Sequence, residues 1–119
     1  MAILVLSGCP GTELAVARAR AASEELGLET NLHFVTIEGQ EQAEANHFIG
    51  SPTVRVEGED VELGVDGRAP SLACRVYEHD GQAEQAPPVA WIRRALAASD
   101  PAVMGDALGP RTLGETTEA

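Results

Sequence analysis

Apolar runs alternate along the chain with polar, helix-forming stretches, and the alternation predicts most of its elements. "AILVL" (2–6) is a short continuous apolar run closed by Ser7-Gly8, as expected of a strand buried on both faces. "GTELAVARARAASEEL" (11–26) changes to Ala, Glu, Arg and Leu, all good helix formers. Its Leu14, Ala17, Ala21 and the following Leu28 form one stripe, and Ala15, Ala19, Ala22 and Leu26 form the next. Together they make a wide apolar face suited to lying flat on a sheet, and Gly27 supplies the stop.

"TNLHFVTI" (30–37) alternates as a strand does, and "QEQAEANHF" (40–48) predicts a short helix with acidic residues near its N-terminus. "TVRVEG" (53–58) predicts a third strand ending in a turn at Gly58, followed by a loop over 59–71. "LACRVYEHDG" (72–81) predicts a fourth strand closing at Asp80-Gly81. "PPVAWIRRALAAS" (87–99) predicts a helix, with Pro88 at its first turn and Val89, Ile92 and Leu96 on one face. Beyond Asp100-Pro101 the pattern decays, so residues 1–99 are read as the domain and 100–119 as a disordered C-terminal tail. The order β-α-β-α-β-β-α starts as a βαβ unit, which favours a parallel pair. The expected fold is a three-layer α/β sandwich with a four-stranded mixed sheet.

Composition narrows the classes of function. The 119 residues carry eight Arg, no Lys and 19 acidic side chains, a net charge of −11. A field of that sign repels phosphate backbones and anionic lipid, so neither nucleic acid nor a membrane surface is an expected partner. Aromatic residues make up only 3% of the chain, which leaves the core to Ala, Val, Leu and Ile. Two cysteines do not make a disulfide framework, and the N-terminus has neither a basic segment nor an apolar run of signal-peptide length. A cytoplasmic protein with reduced thiols is expected. "PGTELA" lacks the glycine spacing and the Lys of a phosphate loop.

One of the two cysteines, Cys9, falls between the first strand and the first helix, in "SGCPGTE". Free amide donors and the helix dipole favour an anion at that place, and the thiolate is the charged form of the side chain. Pro10 has no N–H to leave unpaired there. Farther along, "GSPTVRVEG" puts Ser51-Pro52 immediately before a strand, and an X–Pro bond is the one kind found cis with any frequency.

"LVLSGCPGTELA", with an X-Pro-Thr before the third strand and the element order above, resembles the thioredoxin-like superfamily over roughly residues 2–98. The resemblance implies that Cys9 is a nucleophile and that Pro52 is a cis-proline facing it and docking a substrate. Pro10, Gly11, Ser51 and Thr53 would then line the site. The family's second motif cysteine is Thr12 here. The resolving thiol is therefore missing, and a dithiol cycle would stop at the mixed disulfide. As in monothiol relatives, the Thr12 hydroxyl could donate a hydrogen bond to the sulfur. The implied partner is a thiol-containing protein or a small-molecule thiol, with no cofactor and no metal, and the chain is a monomer or a weak homodimer.

More narrowly, "GCP", "GSPTVRVEG" and "ACRVY" resemble a branch of small bacterial proteins labelled alkylmercury-lyase-like. That resemblance implies soft-metal or organomercurial chemistry on two thiols and a carboxylate, here Cys9, Cys74 and an acid such as Asp66 or Asp80. A third alternative is a non-catalytic, partner-binding domain. Cys74 itself, flanked by small and apolar residues in a strand, reads first as core and second as a partner for Cys9. His33, His47 and His79 have no metal-ligand spacing. His47, just before "FIGSP", reads as a surface or packing residue, with a role as base to Cys9 as the alternative. Tyr77 and Trp91 read as core or interface residues.

Overall fold

β1 (Ala2–Leu6) runs through the middle of a four-stranded sheet in the computed structural model, which describes residues 1–29 and 31–99. Its composition explains its place: Ile3 and Val5 project to one face and Leu4 to the other, and all three are buried. On one side β1 pairs in parallel with β2 (His33–Ile37), Ala2 opposite His33 through Leu6 opposite Ile37. On the other it pairs antiparallel with β3 (Thr53–Val56), Ala2 opposite Arg55 through Leu4 opposite Thr53. β4 (Glu59–Asp60) completes the order β2-β1-β3-β4.

Three helices, α1 (Thr12–Glu25), α2 (Gln40–Ala45) and α3 (Val89–Ser99), cover the two faces of this sheet. Ala15, Ala19 and Ala22 of α1 meet Ile3, Val5, Val54 and Val56, together with Ile92 and Leu96 of α3. Alanine at these spacings lets α1 approach closely, with no long side chain to hold it off. The opposite face is a smaller cluster of Leu4, Ile37, Ala43 and Phe48. Gly27 ends α1 at φ +67°, donating to the Glu24 carbonyl while Leu28 donates to that of Ser23. Among the described residues no helix is long and apolar enough to cross a membrane.

Three expectations need correction. The helix over 40–48 stops at Ala45: His47 takes φ +53°, and the Phe48 amide returns to the Ala43 carbonyl, so Phe48 swings into the core from outside the helix. The loop over 59–71 begins with a strand, because Glu57 and Gly58 both sit at positive φ and turn the chain straight back as β4. The fourth strand of the sheet is therefore β4, and 72–81 is not part of it. That stretch supplies an isolated bridge at Cys74 and then β5 (Tyr77–His79), which turns at Asp80-Gly81 into β6 (Gln82–Glu84) as a separate hairpin. The tail expected over 100–119 lies outside the described residues.

Arg18 of α1 ties this hairpin back to the body. It donates to Glu84 at 2.8 Å and to the carbonyls of Ala86 and Pro87. The hydrogen bond from Arg18, and then its charge, hold the Glu84 carboxyl below its usual range.

Phe48 is fully buried and is the largest side chain of the smaller cluster. Phe48→Ala should therefore cost about 3–5 kcal/mol, read as a fall in the urea midpoint at unchanged slope. A loss below about 1 kcal/mol would contradict the packing described.

Candidate functional site

The site begins where β1 runs out. The Cys9 amide donates to the Leu6 carbonyl at 3.1 Å, after a turn through Ser7 and Gly8 in which Gly8 adopts φ +77°. Cys9 is partly exposed and unoxidised. The Thr12 amide donates to the Cys9 carbonyl at 3.3 Å, and the first α-helical bond runs from Ala15 to Gly11. No side chain caps α1, so among the described residues the Glu13 and Leu14 amides stay unpaired at the end of the helix that carries Cys9.

Gly11 shows what this turn rests on. A Cβ there would come within 3.1 Å of Cδ of Pro52 and would collide with the backbone carbonyl of Gln85. The Cys9 turn thus packs close to Pro52, and the Gln85 carbonyl leaves room at position 11 for glycine alone. The Ser51-Pro52 peptide is cis. Pro10 is exposed and Thr12 partly so, and the two stand on the same turn.

Ser51 and Thr53, read from sequence as lining residues, point inward. The Ser51 hydroxyl accepts from the Leu6 amide at 2.9 Å, which pins the proline loop to the end of β1. The Thr53 hydroxyl donates to the Gly50 carbonyl at 2.6 Å and accepts from Arg75 at 3.0 Å. The main chain is equally engaged. The Ser51 amide donates to Ala73 at 3.0 Å, and the Ser51 carbonyl accepts from the Arg75 amide at 2.7 Å. The Pro52 carbonyl accepts from the Tyr77 hydroxyl at 2.5 Å.

Arg75 was not singled out by sequence, and it organises the whole loop. It is 4% exposed. Its guanidinium meets both oxygens of Asp60, Nη1 to Oδ2 at 2.8 Å and Nη2 to Oδ1 at 3.2 Å, and also reaches Glu62 at 2.7 Å. It lies 4.5 Å from the centroid of the Tyr77 ring. Its Cγ packs where a side chain at Gly50 would sit, which is why Gly50 carries none. Burial disfavours the guanidinium charge, yet the hydrogen bond with Asp60 and the surrounding negative charge outweigh it and hold the proton more firmly than usual. Burial pushes the Tyr77 phenol well above its ordinary range, so at neutral pH it is a hydroxyl donor to Pro52. A signal was available: Arg75 and Tyr77 share one strand face, and "EDVEL" offers two acids at alternate positions.

Cys74 is exposed, which corrects its reading as core. Along "ACRVY" the side chains alternate, with Arg75 and Tyr77 facing inward and Cys74 and Val76 facing out. A polar anchor occupies the inner face, so the small apolar residues lose their claim to it. Cys74 bridges Ser51, one residue from Pro52, so both cysteines stand beside the same proline loop, one through Gly11 and the other through Ser51.

Several expected neighbours are elsewhere. Among the described residues the Thr12 hydroxyl makes no hydrogen bond to the Cys9 sulfur, and the link between the two residues is backbone only. His47 is a surface residue. It lines a cavity of about 240 Å³ with Arg55, Asp60 and Asp66, and no residue of the Cys9 turn lines it. Asp80 sits at the β5–β6 turn, 3.6 Å from His79. Among the described residues no three His, Cys, Asp or Glu side chains are placed to hold a metal ion, so neither acid joins the two cysteines as a ligand set. Tyr77 belongs to the core, with Trp91 edge-on to it at 6.3 Å.

Comparison with family models, with curated proteins and with solved structures gives no match.

Removing Arg75 leaves Asp60 and Glu62 facing each other largely out of water. Arg75→Ala should therefore lose about 3–5 kcal/mol in urea unfolding, and Arg75→Lys should recover only part of it, because an ammonium cannot make the forked contact to Asp60. Full recovery by Lys would contradict the role given to the fork.

Proposed function

We propose that the chain is a thioredoxin-like protein that uses the single sulfur of Cys9 for thiol–disulfide exchange. The observation that carries the reading is the contact between the Cys9 turn and the cis Ser51-Pro52 loop, with the thiol at the uncapped start of α1. Further support comes from the topology: a parallel β1–β2 pair joined through α1, antiparallel β3 and β4, and helices on both faces.

In the exchange step the Cys9 thiolate attacks one sulfur of a disulfide. The S–S bond breaks, a new bond from Cys9 to that sulfur forms, and the other sulfur leaves as a thiolate with the electron pair. One disulfide is consumed and one is made, so no external oxidant is needed. The adduct persists until a second thiol arrives, because position 12 offers a hydroxyl. The unpaired Glu13 and Leu14 amides and the dipole of α1 favour the anion, and the Thr12 hydroxyl makes no hydrogen bond to it among the described residues.

One observation favours a second reading. Cys74 is exposed beside the same proline loop, and two thiolates suit a soft ion even without a third ligand. Mercuric ion bound one to one, with both thiols then protected from alkylation, would shift the assignment to that chemistry.

Incubating the native chain with a low-molecular-weight disulfide should add one small-thiol adduct at Cys9 by intact mass and peptide mapping, and Cys9→Ser should abolish it. Thr12→Ala should change the rate by less than about two-fold. A Cys9 that stays unmodified in the folded chain would sink the exchange reading and leave a partner-binding domain. A ten-fold effect of Thr12→Ala would return the hydroxyl to the mechanism.

A further inference from the structure

The two flanks of Ser51 are both occupied by the chain itself. On one side lies the end of β1, with the Leu6 amide on the Ser51 hydroxyl. On the other lies the segment 73–75, whose Ala73 carbonyl and Arg75 amide take the Ser51 amide and carbonyl at 3.0 and 2.7 Å. The next carbonyl, that of Pro52, is taken by Tyr77. An extended peptide that docks by adding a strand needs unpaired main-chain donors and acceptors along an edge. Beside Pro52 none of these three groups is left.

Nor is the segment 73–75 a lid that a partner could lift. It ends on Arg75, and lifting it would break the contacts to Asp60, Glu62, Thr53 and Tyr77 together and strip the Asp60 carboxylate of its guanidinium. The sheet's edge strands are β4, only two residues long, and β2, whose outer side lies on the far side of β1 from Ser51. A chain added there would lie at least two strand spacings from β1, about 10 Å.

Resting on the exchange reading above, we infer that Cys9 serves low-molecular-weight disulfides and thiols and excludes extended protein chains, with residues 73–75 as the element that sets this specificity. Cys9 stays partly exposed while the Ser51 and Pro52 main-chain groups that would align a polypeptide are taken. Chemistry at Cys9 needs only that a small disulfide reach the sulfur in line. Its substrate requires no main-chain pairing, and the adduct is cleared by a second small thiol.

The test compares two uncharged probes on the full chain carrying Cys74→Ser, so that Cys9 alone reports and the net charge of −11 affects neither probe. One is bis(2-hydroxyethyl) disulfide. The other is the mixed disulfide of 2-mercaptoethanol with a short capped cysteine peptide free of charges. Each rate is divided by the rate of the same probe with the synthetic peptide SGCPGTE, which removes the intrinsic difference in reactivity. The normalised rate with the small probe should exceed that with the peptide probe by at least about ten-fold. Hydrogen exchange should find the Ser51 and Arg75 amides protected in the native chain.

Equal normalised rates, or a preference for the peptide, would overturn the size selectivity and leave the exchange reading intact. Rapid exchange at Ser51 and Arg75 would overturn the closed edge itself. Reaction with neither probe would overturn the exchange reading, and this inference with it.

Discussion

A buried guanidinium cannot stay unpaired, and this fold is arranged around satisfying one. Arg75 draws Asp60 and Glu62 from the β3–β4 hairpin, Thr53 from the start of β3 and Tyr77 from β5 into a single group of contacts. The partners come from three stretches of chain, so the charge fastens together segments that are distant in sequence. β4 is only two residues long, and both are acidic. Its pairing with β3 is backed by the ion pair to Arg75, because it brings little apolar surface of its own. Tyr77 connects the group to Pro52 through its hydroxyl, and Gly11 connects Pro52 to the Cys9 turn. Geometry at the thiol is thus inherited from a charge several residues away.

What the sequence made legible follows the strength of each local signal. The strand at 2–6, the helix behind it and the helix over 87–99 rest on apolar periodicity that tertiary contacts only reinforce. The Cys9 turn and the Ser51-Pro52 loop were equally readable, since a thiol before a proline at a strand-to-helix junction, and a proline before a strand, have few alternatives. The region 59–84 was not. There the inward residues are Arg75 and Tyr77 and the outward ones are Cys74 and Val76, so a rule that sends apolar side chains inside finds Tyr77 but misplaces Arg75, Cys74 and Val76. Glu57-Gly58 was half visible: Gly58 marked a turn, but two acids gave no hint that a strand follows.

Chemistry shows the same division. The family resemblance implied that Pro52 faces Cys9, while the environment of Cys74 depended on the path of a connection that sequence leaves open. Bridging Ser51 puts Cys74 at the proline loop without making it a motif partner. Ser51 and Thr53 were named as lining residues, and their side chains hold the loop in place instead. A thiol beside a proline loop whose Ser51 and Pro52 main-chain groups are already paired is firmly placed and sparsely dressed. That combination suits a sulfur which captures small partners more than one which grips a chain.

The central claim is that the Arg75 contacts, by holding residues 73–75 against Ser51, govern what reaches Cys9. It is tested most directly by measuring the rates of a small and a peptide disulfide at Cys9 after replacing the charged group as a unit: Arg75→Met with Asp60→Asn and Glu62→Gln, which strands no buried carboxylate. With the fold retained by circular dichroism, the discrimination between the two probes should collapse to within about two-fold as residues 73–75 loosen from Ser51. Discrimination unchanged from that of the native chain would contradict the account.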